Sequence, residues 1–204
     1  MILDDGKSKD RTMTMYDEAL QFATERHEGQ TRWDGRDYIE HPIRVADQFK
    51  DDERKTVAIL HDVVEDGKAT LKEVRDLFGD LIAEAVNAIS KKEGEPYNVF
   101  VFRAEKNPIA KDVKIADIKD NIGDFPSENT DHMRKASSLI TKRYIPAFLF
   151  LCGMNKDYGE KAGRDSFHLH LERASKTVEG WPEWKKQASG AYKYSTSPEK
   201  KDTE

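Results

Sequence analysis

Residues 61–66 read HDVVED, which crowds four ionisable side chains into less than two helical turns. On a helix His61 and Glu65 are four apart, as are Asp62 and Asp66, so the two pairs form one polar edge with Val63 and Val64 turned away from it. A His-Asp dipeptide is weak alone, because a capped helix end with solvated acids accounts for it equally well. The segment DVKIADIKDNI adds a second cluster. At ~100° per residue, Lys114, Asp117 and Asn121 share a stripe ~60° wide. The surrounding Val113, Ile115, Ala116, Ile118 and Ile122 make that helix apolar nearly all round, so it is expected at the centre of the fold. A carboxylate buried there needs a counter-charge or a metal. Asp117 therefore has two readings, an ion pair with Lys114 or a metal ligand, while Lys119 and Asp120 are expected in solvent. His41, in YIEHP, stands beside Pro42 at a helix start.

Taken together, His41, His61, Asp62 and Asp117 supply two imidazoles and two carboxylates and no thiolate. That set suits a divalent metal of mixed nitrogen and oxygen preference with open positions for water, namely manganese, iron or magnesium, and disfavours a closed structural zinc site. Such a metal makes a water acidic enough to act near neutral pH and polarises a phosphoryl oxygen. Glu65 and Asp66 then stand where protons must be moved.

The order His41…His61-Asp62…Asp117 resembles the HD-domain metal phosphohydrolases. HEGQTRWDGRDYIEHP, HDVVED and KIADIKDN narrow the likeness, from about Ala19 to Asn121, to the hydrolase domain of the RelA/SpoT-type alarmone enzymes. That resemblance implies an all-α HD-domain bundle and manganese held by His41, His61, Asp62 and Asp117. It further implies catalysis by Glu65 and Asp66 with Asn121, which holds nucleotide and water. It places Arg32, Tyr38, Lys114 and Tyr144 against the nucleotide. The implied reaction is removal of the 3′-pyrophosphate from guanosine, or adenosine, alarmones such as (p)ppGpp. After the long helix ending near Leu151 only ~50 residues remain, short of a further synthetase domain, so the likeness is to the stand-alone small alarmone hydrolases. Trp33 stands where relatives carry a basic residue, Asp37 where proline is usual, and Ile122-Gly123 where leucine-arginine is common. Those changes touch the nucleotide rim and leave open a general HD nucleotidase or an NADPH phosphatase. A third reading is a non-catalytic nucleotide-binding or antitoxin-like module.

The elements that must position these residues are helices. Thr14, with Asp17 three residues on, opens a first helix that Gly29 ends. GQTRWDGRDYIEHP is a loop, and Pro42 fits the first position of the next helix. A third helix is expected from Lys55 to about Asp66. Thr70 with Glu73 opens a fourth, which stops at Gly79, and Leu81 to Ile89 carry another. SKKEGEP reads as a surface turn, Asn107-Pro108 as a helix start running to Ile122, and GDFPSENT as a loop. Two further helices are expected over about Asp131–Leu151 and Arg164–Glu179. The fold class is all-α, with about eight to ten helices. Residues 1–12 are expected to be a flexible leader, 13–184 the hydrolase domain and 185–204 a charged, disordered tail.

Composition limits the partners. Lys+Arg 34 against Asp+Glu 39 gives −5 over 204 residues with the signs interspersed, so no basic field invites nucleic acid. The apolar run from Ile145 to Met154 is about half of what a membrane span needs. A single cysteine, Cys152, forms no internal disulfide, fits a reducing cytoplasm and is expected buried among its apolar neighbours. What remains is a cytoplasmic protein whose partner is a small nucleotide; a protein partner is left open, the charged tail after Trp184 being the feature that suggests an interaction module.

Overall fold

Helix starts follow the chain's capping chemistry, as the computed structural model shows over residues 13–32, 34–124 and 130–180. Thr14 caps α1 (Met15–Arg26) and Thr70 caps α4 (Leu71–Ile89). In both, the threonine oxygen accepts from the backbone of the third helical residue and that residue's carboxylate answers. Between them lie α2 (Glu40–Ala46) and α3 (Asp52–Glu65), followed later by α5 (Tyr97–Glu105), α6 (Pro108–Gly123) and α7 (Thr130–Leu139). A π-helical turn, Ile140–Tyr144, then leads into α8 (Ile145–Leu151), and α9 covers Lys156–Glu179. Among the described residues there is no strand, only an isolated antiparallel bridge between Thr31 and Asp37.

Several boundaries differ from expectation for local reasons. Helix α2 starts at Glu40, so Pro42 is its third residue, where a missing N–H still costs nothing. Asp51 accepts from Arg54 N and starts α3 three residues before Lys55. Within α4, Gly79 takes φ 82 and ψ 173, which only glycine adopts cheaply, so the expected stop is a break between two helical halves. Helix α5 is unanticipated, because YNVFVF is a short run of aromatic and β-branched residues, types that favour a strand. The SKKEGEP turn is not wholly on the surface either, since Ser90 and Glu95 are buried. The expected Asp131–Leu151 helix is interrupted by the π turn just before Pro146, which has no N–H to continue the ladder. Helix α9 begins eight residues before Arg164, where Gly159 and Gly163 mask the helical pattern. Cys152 is exposed, not buried: it follows Leu151 as the C-cap of α8 and points out of the packed face.

Two apolar clusters form. The first surrounds α3, whose Val57, Ala58, Ile59, Leu60 and Val63 are fully buried against α1, α2, α4 and the first half of α6. Each large side chain sealed in this way is worth ~1.5–3 kcal/mol. The second joins Phe100 and Val101 of α5, Ile118 of α6, and Ala147 and Leu151 of α8. Helix α6 thus serves both clusters, which is why its sequence is apolar on nearly every side. The chain divides into two compact units, Met1–Gly159 and Glu160–Glu204. The site described next belongs to the first, and the described part of the second is the helical stretch that ends at Glu179. Among the described residues no helix is long and apolar enough to cross a membrane. The expected leader, the charged tail and Trp33 lie outside the described residues.

Candidate active site

His61 enters the site from the buried face of α3 with its Nδ1 2.6 Å from the Ala58 carbonyl. A carbonyl only accepts, so the proton is on Nδ1 and Nε2 is turned to the site. That Nε2 lies 3.1 Å from Asp62 Oδ1 and 3.8 Å from Asp117 Oδ1. His41, the second residue of α2, points its Nε2 at the same place, 3.2 Å from Asp117 Oδ1 and 3.8 Å from Asp62 Oδ2. One ligand atom from each of His41, His61 and Asp117 lies within 4.8 Å of the others, and all three residues are buried. Asp62 borders this trio, and its Oδ2 accepts from Tyr38 Oη at 2.7 Å. Two imidazole nitrogens and carboxylate oxygens converging on one buried point are donor atoms that suit a shared cation.

Asp117 divides its two oxygens between Lys114 and the histidines. Oδ2 accepts from Lys114 Nζ at 2.7 Å, while Oδ1 faces the histidines and accepts from Asn121 Nδ2. Lys114, Asp117 and Asn121 do share one face of α6. Burial opposes the charge on Asp117, yet Lys114, His41 and His61 outweigh it and hold the carboxyl well below its usual range. Burial likewise opposes the charge on Lys114, which Asp117 and the neighbouring Tyr97 and Glu65 raise above an ordinary lysine. Desolvation of His41 is also overcome, by Asp117 and Asp120, and its pKa stands at about 9.

These groups form one side of a cavity of about 400 Å³. Arg32, Tyr38, Glu65, Lys114, Asn121 and Tyr144 all line it, as expected. A short loop places two of them. Tyr38 N bonds the Gln30 carbonyl at 2.9 Å and Arg32 N bonds the Arg36 carbonyl at 2.9 Å, so Arg32 and Tyr38 flank the Thr31–Asp37 bridge. Arg32 pairs with Asp124 at 3.0 Å. Glu65 accepts from the backbone N–H of Lys91 at 2.9 Å. Its pKa is raised by desolvation, only partly offset by that N–H and by Lys114. Asp66 is not part of the cavity lining; its Oδ2 accepts from Gln30 Nε2 at 2.9 Å.

One expectation is overturned. Asp120 is not in solvent: its Oδ2 is 2.7 Å from His41 Nδ1, and Arg44 donates to both its oxygens at 2.8 and 2.9 Å. Position 120 is ~60° round from Asp117, which turns it toward α2, an element whose position the helical wheel does not show. The sequence also did not reveal Lys91, Tyr97, Phe100 and Arg143, which complete the cavity wall. Lys91 reads as one more charge in a charged turn, and the two aromatics as core. Arg143 has a weak signal in its neighbour Tyr144. Its guanidinium lies 4.9 Å from the Tyr97 ring centre, and Lys114 Nζ lies 4.7 Å from that of Phe100. The wall is therefore cationic and aromatic at once.

Residues 19–113 match the family model of the HD domain. The chain is 35% identical over 135 residues to the bifunctional (p)ppGpp synthase/hydrolase SpoT of Escherichia coli strain K12, a match covering 60% of this chain and 18% of that protein. It is 31% identical over 140 residues to a guanosine-3′,5′-bis(diphosphate) 3′-pyrophosphohydrolase of Aquifex aeolicus, covering 63% of this chain and 20% of the relative. The chain thus spans about a fifth of the length of these curated relatives. A solved structure of a metazoan ortholog of SpoT, described as hydrolysing ppGpp and playing a role in starvation responses, superposes with a TM-score of 0.56 at 27% identity. That match covers 75% of this chain and 94% of the other.

Proposed function

We propose that this chain, whose residues 19–113 match the family model of the HD domain, is a metal-dependent phosphohydrolase that removes the 3′-pyrophosphate of guanosine alarmones such as ppGpp. The observation that carries this reading is the meeting of two features in one cavity. The buried His41, His61 and Asp117 trio stands on one side, and Arg32, Lys91, Lys114 and Arg143 line the same space. Phosphate esters need such cations to neutralise their charge, and a purine needs aromatic faces such as those of Tyr97 and Tyr144. Relatives named for the 3′-pyrophosphohydrolase activity support the choice of substrate.

His41, His61 and Asp117, with Asp62 at their edge, would hold one divalent cation, and the mixed nitrogen and carboxylate donor set, free of thiolate, favours manganese over a closed structural zinc site. When bound, such a cation supplies Lewis acidity and a water acidic enough to react near neutral pH. The chain's own groups do the rest. Arg32, Lys91 and Arg143 bind and orient the phosphates, and Asn121, fixed on Asp117, offers its amide oxygen toward water or nucleotide. Water adds to the phosphorus next to the ribose, the bond to the 3′ oxygen breaks, and Glu65, with Asp66 beside it, moves the protons. Pyrophosphate and GDP leave.

The test is pyrophosphate release from ppGpp in manganese buffer, run beside a panel of 5′-monophosphates and NADPH. Activity that EDTA abolishes and that Asp62→Asn lowers at least ~10²-fold is expected, with 3′-pyrophosphates preferred. Activity indifferent to EDTA sinks the metal reading, and a preference for 5′-monophosphates sinks the substrate.

A further inference from the structure

His41 is held by less backbone than its partner histidine. It is the second residue of a seven-residue helix whose N-terminus has no side-chain cap. His61 has its tautomer set within its own helix by the Ala58 carbonyl. For His41 the corresponding partner is a side chain from another helix, Asp120 of α6, 2.7 Å from Nδ1. A carboxylate only accepts, so this contact puts a proton on Nδ1 and turns Nε2 toward Asp117 and His61. Asp120 is itself held: Arg44, one turn along α2 from His41, grips both its oxygens, and the side chains of His41 and Asp120 are 5% and 9% exposed. A part-exposed guanidinium, a carboxylate and an imidazole thus form a chain that ends at the candidate metal site, and of the three only His41 lines the cavity.

We propose that Asp120, braced by Arg44, is the positioning residue that fixes the ring and tautomer of His41 for metal binding. The inference rests on the metal reading above. It also separates Asp120 from the direct ligands: its two oxygens are used by His41 and Arg44, and it is not part of the cavity lining. Carboxylates in this outer position typically change metal affinity or activity by ~10–100-fold.

The decisive variant is Asp120→Asn, which keeps volume and shape. Arg44 donates to both carboxylate oxygens, so the new amide NH2 meets a donor on either side: in the Oδ1 place it displaces Arg44 Nε and loosens the brace, and in the Oδ2 place it faces His41. In that second place Nδ1 must accept, and the ring proton moves to Nε2, where it blocks the metal. The expected result, measured by calorimetric titration of manganous ion into chelator-stripped full-length protein, is ~10–100-fold weaker binding, with kcat falling alongside. Arg44→Met, which removes the brace together with the Arg44–Asp124 pair, should weaken binding in the same direction by a smaller factor. Melting temperatures with manganese and with EDTA guard against a merely structural role. If Asp120→Asn lowers both equally while the manganese dissociation constant stays at its wild-type value, the proposal is overturned and the metal reading stands. If the wild-type protein shows no manganese binding, both fall together.

Discussion

At the scale of single residues, Glu65 meets what proton transfer at a phosphate requires. It faces the cavity, and desolvation raises its pKa, so it takes up a proton more readily than an ordinary glutamate. Replacing it with glutamine keeps the shape and removes the proton traffic. Glu65→Gln should lower kcat/KM by on the order of 10²–10⁴. The acid limb of the wild-type kcat/KM profile should lie above the usual glutamate range, because the base must lose its proton and that loss is shifted to higher pH. Profiles of both proteins between mildly acidic and neutral pH check this, and a limb that persists in Glu65→Gln would assign it to another group. Asp120 shows the reverse case. Its type was ordinary and its neighbours unknown, and its chemistry comes from what α2 brings against it.

Helix α5 and the turn before it act as one element. Arg103 of α5 donates to Glu95 and to the carbonyls of Asn87, Ala88 and Ser90, tying the end of α4 to the turn, and Lys92 N donates to Glu95 Oε2 at 3.0 Å. That turn supplies the Lys91 N–H to Glu65 and the Lys91 side chain to the cavity. Burial opposes the charge on Glu95, but Arg103 and the Lys92 N–H prevail and its pKa lies below that of an ordinary glutamate. A depressed folded value means that the stabilisation is fully present above the unfolded value and is lost as pH falls through the folded one. Glu95→Gln should therefore cost on the order of 1.5–3 kcal/mol at neutral pH, and the gap should close progressively in acid. Urea unfolding of both proteins from pH 7 down to about pH 3 measures it. A gap that does not change with pH would mean that packing, not the charge, holds the turn.

For the molecule as a whole, α6 is the shared beam. Ala110, Val113 and Ala116 belong to one cluster and Ile118 to the other, while Asp117 faces the site between them. Losing Asp117 should thus be felt twice. Asp117→Ala leaves the buried Lys114 without its 2.7 Å partner, which should cost on the order of 3–5 kcal/mol even in EDTA. It should also abolish the rise in melting temperature that manganese gives the wild-type protein, since a metal bound only by the folded state stabilises it. Thermal melts in manganese and in EDTA separate the two effects. An unchanged manganese-dependent rise in the variant would remove Asp117 from the metal site and leave it as the partner of Lys114 alone.

Local signals in the chain are enough for the helices that cap themselves, because Thr14 with Asp17, Thr70 with Glu73 and Asn107 with Pro108 act within a few residues of one another. They are also enough for the Lys114–Asp117–Asn121 stripe, since helical periodicity places those side chains on one face whatever surrounds them. They are not enough for α5, whose run of aromatic and β-branched residues is helical and packs on α6 and α8. Nor do they reveal that Lys91 and Arg143 share a cavity with residues far away in the chain, or that Asp120 is turned from solvent to His41. Residue types and local spacing, set by the chain's own stereochemistry, decided which groups could do the chemistry. Which of them meet was decided by helix packing, because the contact between α2 and α6 depends on burial across some eighty residues of intervening chain.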